Sequence, residues 1–163
     1  MFASELRQDL RELYKINFPE TPIVEGDITK ISPSDIPAHN VLCAGFPCQP
    51  FSQAGKRQGF DDEKQRGNLF DYICAILEKH HPEYVLLENV ANLKGHDHGN
   101  TWATIYKKLT DLNYDVAEPA ILSPHQFGIP QHRRRIYIVC RNKDYGTLAG
   151  FSFPTGQVKD LNI

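Results

Sequence analysis

A chain of 163 residues with 40% hydrophobic side chains and 23% charged ones is of single-domain size and long enough to bury a real core. A mean hydropathy of -0.44, no apolar run near the roughly eighteen residues of a membrane span, and a start (Met1, Phe2, Ala3, Ser4, Glu5) unlike a secretory leader lead to the expectation of an intracellular, cytoplasmic protein. The formal net charge of -2 excludes a surface that is basic all over, so any nucleic-acid contact is expected to be local, at His132 to Arg135 and at Lys56, Arg57, Lys64 and Arg66.

In chain order, Leu6, Leu10, Leu13 and Tyr14 recur at helical spacing and predict an amphipathic first helix. The short apolar runs Ile23 to Val24 and Val41 to Ala44, bounded by Pro, Gly and Asp, predict buried strands. Asn68 precedes a helix carrying Leu69, Ile73, Ile76 and Leu77, which His81 and Pro82 stop. A strand from Tyr84 to Leu87 follows, then a helix after Thr101 with Trp102, Ile105, Tyr106, Leu109 and Leu112 on its buried stripe. The last strand, Ile136 to Cys140, alternates little and is expected to be covered on both faces. From Asn142 onward, Asp144, Gly146, Gly150, Pro154 and Gly156 make the tail loop-like. Strands separated by helices of about 10 to 15 residues predict βαβ units and an α/β fold with a mostly parallel sheet. Ligands gather at the carboxyl ends of such strands, which directs attention to Gly45 to Cys48 and to Glu88 with Asn89.

The segment GFPCQPFSQAGKRQGF, residues 45 to 60, follows a strand and sets Cys48 between Pro47 and Gln49. A thiol is a strong nucleophile only as thiolate, which requires a neighbouring cation or dipole. The plain alternative is a small buried hydrophobe, and that reading is kept for Cys43, Cys74 and Cys140, which sit in apolar patterns. The four cysteines form no Cys-x-x-Cys pair and suit neither a zinc site nor a disulfide framework, so no metal is expected. The polar, glycine-bearing stretch after Cys48 is either a passive surface excursion or a lid over a substrate. Glu88 and Asn89 end the strand YVLL; a carboxyl at the edge of a dry sheet can serve as a general acid, or either side chain can cap the next turn. In GIPQHRRRIYIV, residues 128 to 139, Gln131, Arg133 and Arg135 alternate and project to one side. Arginines so placed offer bidentate donors to a phosphate, carboxylate or base carbonyl, whereas Arg134 points away and serves to blunt a strand edge.

Taken together and in this order, GFPCQPFS, ENV (Glu88 to Val90) and QHRRR (Gln131 to Arg135) resemble the DNA (cytosine-5)-methyltransferases. The flanks SEL near the start, GDI at Gly26 to Ile28, GNLF at Gly67 to Phe70 and HDHGNT at His96 to Thr101 extend the resemblance over about residues 2 to 154. It implies a Rossmann-like methyltransferase fold, a partial catalytic domain over 1–154, and a tail at 155–163 that begins a target-recognition region. It also implies that Cys48 adds to carbon 6 of cytosine while Glu88 protonates or hydrogen-bonds ring nitrogen N3, with Arg133 and Arg135 holding the cytosine carbonyl and its neighbours. Gln49, Ser52 and Arg66 would lie on the loop that closes over a base flipped out of double-stranded DNA, with Asn89 and Gln131 as scaffold. For S-adenosylmethionine, Glu5 resembles the acid that bonds the ribose, Asp27 and Ile28 the adenine contacts, and Pro47 and Leu69 the nearby wall.

The same resemblance implies a first strand and a glycine-rich turn ahead of residue 2, of which this sequence holds no equivalent, and a target-recognition region after about residue 154. The expectation is therefore an incomplete sheet whose first central strand is missing. Two unpaired edges would invite self-association, and the chain alone would have little or no activity. Competing readings are an RNA cytosine-5 methyltransferase with the same motifs and a non-catalytic partner subunit of the same fold.

Overall fold

The computed structural model describes residues 1–47 and 69–156. The chain opens with a small βαβ unit: β1 (Ala3–Glu5), α1 (Gln8–Asn17) and β2 (Ile23–Glu25), the two strands parallel from Ala3↔Ile23 to Glu5↔Glu25. The predicted helical period is present, yet α1 buries no residue, and Leu6, Leu10 and Leu13 are 66%, 38% and 56% exposed. Periodicity reports a helix with an apolar stripe; it does not supply the partner that covers the stripe.

The larger sheet has the order β3-β4-β7-β5, with β6 also paired to β7. From β3 (Val41–Gly45) the chain reaches α2 (Leu69–His80) and then β4 (Tyr84–Val90), parallel to β3 from Val41↔Tyr84 to Gly45↔Glu88. Helix α2 ends where the sequence predicts: His81 takes a left-handed φ of 47° with its amide bonded to the Leu77 carbonyl, and Pro82 cannot continue the helical ladder. Next come α3 (Asn100–Asp111), two three-residue strands, β5 (Tyr114–Val116) and β6 (Ala120–Leu122), and finally β7 (Arg135–Asn142). Strands β5 and β6 take opposite halves of β7, joined by an Ala117 amide to Val139 carbonyl bond of 3.0 Å. Pro119, which has no N–H to give the ladder, lies between them.

The α/β class holds, but the sheet is mixed, because β7 runs antiparallel to β4, β5 and β6. The connection from β6 to β7 carries a single 3₁₀ turn at Pro124–Phe127 and no crossover helix, and a return of that kind delivers an antiparallel strand. The short strands β1, β5 and β6 escape prediction because three residues are too few to display a period.

The core is one cluster joining Phe70, Ile73 and Leu77 of α2, Ile105 and Leu109 of α3, Val85 and Leu87 of β4, and Ile136, Ile138 and Cys140 of β7. Complete burial of a side chain such as Phe70 contributes about 2 to 3 kcal/mol. Against expectation, β7 alternates strictly between buried and half-buried positions, so only one of its faces is sealed. The other face of the sheet stays open: Val41 is 54% exposed, Tyr84 39% and Leu86 37%. Helices therefore cover one face of the larger sheet among the described residues, where the sequence reading expected both.

Candidate active site

The carboxyl ends of β3 and β4 lie side by side, Gly45 paired with Glu88. Because β4 alternates, Asn89 turns into the core with 1% exposure while Glu88 faces the other way, half-buried. The Asn89 Nδ2 donates to the Phe46 carbonyl at 2.8 Å and its Oδ1 accepts the Val90 amide at 2.8 Å. One buried amide thus fixes the backbone two residues ahead of Cys48. Phe46 is itself 6% exposed and its ring lies 5.3 Å from that of Phe70, so the approach to Cys48 is held by packing as well. Above Gly45 stands the Glu88 carboxylate: a Cβ on Gly45 would lie 3.4 Å from Glu88 Oε2, an ordinary contact.

Strand β7 brings the arginines to this place. Arg135 pairs with Val90, two positions from Glu88 along β4, so the two side chains meet diagonally on one face. Arg135 Nε and Glu88 Oε1 form an ion pair of 2.8 Å, and Arg135 Nη1 also donates to the Arg134 carbonyl at 2.9 Å. Arg133 and Gln131 are exposed at their side chains, and their backbones are tied down: the Arg133 amide donates to Ser123 Oγ at 3.1 Å and the Gln131 carbonyl accepts the His125 amide at 3.2 Å. Ser123, 3% exposed, escaped the sequence reading. Its signal was available, since Ser123 followed by Pro124 and Gln126 is the pattern of a capping box with proline at the first helical position.

A cleft of about 640 Å³ opens between the edges of β1 and β3, lined by Met1 to Glu5 on one side and Val41 to Gly45 on the other, with Ile28, Leu69 and Tyr72 among its walls. Of the residues matched to cofactor contacts, Glu5, Ile28 and Leu69 share this cleft, whereas Asp27 and Pro47 fall outside its lining. Asp27 caps the 3₁₀ turn Ile28–Lys30, its Oδ1 accepting from the Thr29 amide at 3.0 Å and the Thr29 hydroxyl at 2.7 Å, and so orients Ile28 into the wall. Glu5 Oε1 accepts the Arg7 amide at 2.9 Å. A cleft of this size, apolar along its walls with a carboxylate at one end, matches the volume range of small-molecule sites, about 300 to 1,000 Å³, and fits a ligand with an apolar ring and a hydroxylated sugar. The cleft also reaches Gly45 under the Glu88 carboxylate, so the two candidate sites adjoin.

The three described cysteines divide. Burial pushes the Cys140 and Cys74 thiols up to about 12, which keeps them protonated and poor nucleophiles. Cys43 corrects the sequence reading: it is exposed and lines the cleft, because it points to the same open face of the sheet as Val41 and Leu86. Cys48, Gln49, Ser52 and Arg66 lie outside the described residues. Among the described residues there is no cluster of His, Cys, Asp and Glu suited to a metal ion, and no helix is long and apolar enough to cross a membrane.

The family model of the C-5 cytosine-specific DNA methylases matches residues 1–162. The chain belongs to that family. Among curated relatives it is 47% identical to the type II methyltransferase M1.ScrFI of Lactococcus lactis subsp. cremoris, over 95% of this chain and 39% of that protein. It is 52% identical to M.HaeII of Haemophilus aegyptius, over 85% of this chain and 42% of the relative. The chain thus spans well under half the length of these relatives. A solved structure of a Spodoptera frugiperda DNMT2 mutant superposes with a TM-score of 0.63 at 26% identity, covering 98% of this chain and 45% of that one. A prophage-encoded DNA modification methyltransferase of E. coli gives a TM-score of 0.68 at 22% identity, over 88% and 40% of the two chains, a likeness of fold. The C-5 methylase fold is therefore carried by a mixed sheet here, and among the described residues no strand joins β1 to β3.

Proposed function

We propose that these residues form the catalytic part of an enzyme that methylates carbon 5 of cytosine in DNA through a covalent adduct of Cys48. The observation that carries this reading is the Glu88–Arg135 ion pair, set beside the backbone that Asn89 fixes just ahead of Cys48. In this reading the Cys48 thiolate adds to carbon 6 of a flipped cytosine. Glu88 protonates or hydrogen-bonds N3, and Arg135 and Arg133 hold the ring carbonyl and its neighbours, so the ring is never left as an unstabilised anion. Gln49, Ser52 and Arg66 contact the base from the loop, while Asn89 and Gln131 hold the scaffold. S-adenosylmethionine supplies the methyl group when bound; Glu5, Ile28 and Leu69 would hold it in the cleft, with Asp27 and Pro47 supporting its rim. Loss of the carbon 5 proton and departure of the Cys48 sulfur then restore the aromatic ring.

The natural partner is double-stranded DNA and the location the cytoplasm, close to the nucleoid. The unpaired edges of β1 and β3 are the surface through which two copies of this chain would associate, and the chain alone is expected to be nearly inactive. The deciding experiment is trapping with a 5-fluorocytosine duplex, using the longest natural reading frame that carries these residues. A covalent protein–DNA adduct that Cys48→Ser lacks is expected, since fluorine at carbon 5 blocks release. Absence of any adduct with DNA, or an adduct formed only with RNA, overturns the reading.

A further inference from the structure

The ladder between β6 and β7 runs as far as Leu122↔Arg135, and two residues before that last pair, at Arg133, the amide is served by a side chain instead. Ser123 Oγ accepts the Arg133 amide at 3.1 Å, and His125 Nδ1 lies 2.8 Å from the same oxygen. The Gln126 amide bonds to the Ser123 carbonyl at 3.0 Å and Gln126 Oε1 accepts the Ser123 amide at 2.8 Å, so the residue is fixed through its backbone as well. A hydroxyl has two lone pairs and one hydrogen, so Ser123 Oγ can serve the Arg133 amide and the His125 ring at once. The arm is closed further by the His125 amide bonding to the Gln131 carbonyl at 3.2 Å and by the His125 and His132 rings, whose centroids are 4.2 Å apart. All of this surrounds a polar atom in a residue only 3% exposed, while Arg133 beside it is exposed.

We propose that Ser123 is a positioning residue for methyl transfer: its hydroxyl, held against the His125 ring, sets the backbone of Arg133 and so directs that guanidinium toward the Glu88–Arg135 pair. The proposal rests on the functional reading above. Its effect is selective, because Arg135 is held independently by the strand ladder and by Glu88.

The test compares Ser123→Ala and Ser123→Thr with the unsubstituted protein. By NMR on this chain, Ser123→Ala is expected to speed hydrogen exchange at the Arg133 amide about tenfold or more while the amides of Ile138 and Cys140 keep their protection; Thr, which retains the hydroxyl, restores it. In the longest reading frame, Ser123→Ala should lower kcat about tenfold or more, with KM for the cofactor unchanged, and Thr should rescue it. Unaltered Arg133 exchange or unaltered kcat in Ser123→Ala overturns the proposal; if that variant folds poorly, failure of Ser123→Thr to match the unsubstituted protein in both readouts overturns it. If the unsubstituted reading frame transfers no methyl group to DNA, the functional reading fails instead, and the exchange results still judge the Ser123 network.

Discussion

At the scale of single residues, Asn89 shows how a buried amide constrains a site. Asn89→Ala leaves the Phe46 carbonyl without its donor and the Val90 amide without its side-chain acceptor. A buried group so orphaned costs about 1 to 3 kcal/mol; urea denaturation of this chain is expected to register a loss of that size. Glu88→Gln behaves oppositely. Its ion pair with Arg135 is part-exposed, with side chains 36% and 22% accessible, so stability should change by no more than about 1 kcal/mol. Methyl transfer by the longest reading frame should nevertheless fall about 10²-fold or more, because the acid proposed to act at N3 is lost. The buried thiols give a pH prediction. Cys140 and Cys74 have folded values near 12 against 9.0 for the free group, so the native state retains protons that the unfolded chain releases. The stability they contribute is complete below about pH 9 and is lost as pH rises from there toward 12, by up to about 1.4 kcal/mol per pH unit for each. Denaturation midpoints measured from pH 8 to 11 should decline accordingly, and less steeply in Cys140→Ala.

At the scale of elements, α1 and α2 carry similar apolar periods and opposite consequences. Phe70 of α2 is completely buried, and Phe70→Ala is expected to cost about 3 to 5 kcal/mol. Leu13 of α1 is 56% exposed, and Leu13→Glu should change the stability of this chain by no more than about 0.5 kcal/mol. Thermal denaturation of both variants checks the contrast. The sequence showed both helices because i, i+3 and i+4 spacing is a local property. It showed the end of α2 for the same reason, through His81 and Pro82. It did not show that β7 would alternate or run antiparallel, since those follow from what packs on its two faces and from a return without a helix. Ser123 was within reach of the capping pattern, but its bond to Arg133 ten residues later was not.

At the scale of the whole molecule, the fold is two sheets facing each other across a cleft, with β1 and β3 presenting edges that no described strand pairs. Unpaired edges recruit other chains, so this chain should associate as its concentration rises, and Val41→Lys on the β3 edge should suppress the effect. Light scattering measures both; a monomer at every concentration contradicts the expectation. Order and spacing along the chain were enough to identify the family and to single out Cys48, Glu88 and Arg135 as candidates, because each stands in a short motif near the end of a strand that local pattern reveals. The meeting of Glu88 with Arg135 and the turning of Asn89 toward Phe46 were decided only in three dimensions. The same holds for the cleft shared by Glu5, Ile28 and Leu69. The physical reason is range: helical and strand periods are set by neighbours a few residues apart, whereas an ion pair between positions 88 and 135, or a wall built from residues 5, 28 and 69, depends on how the sheets are stacked and which edges remain open.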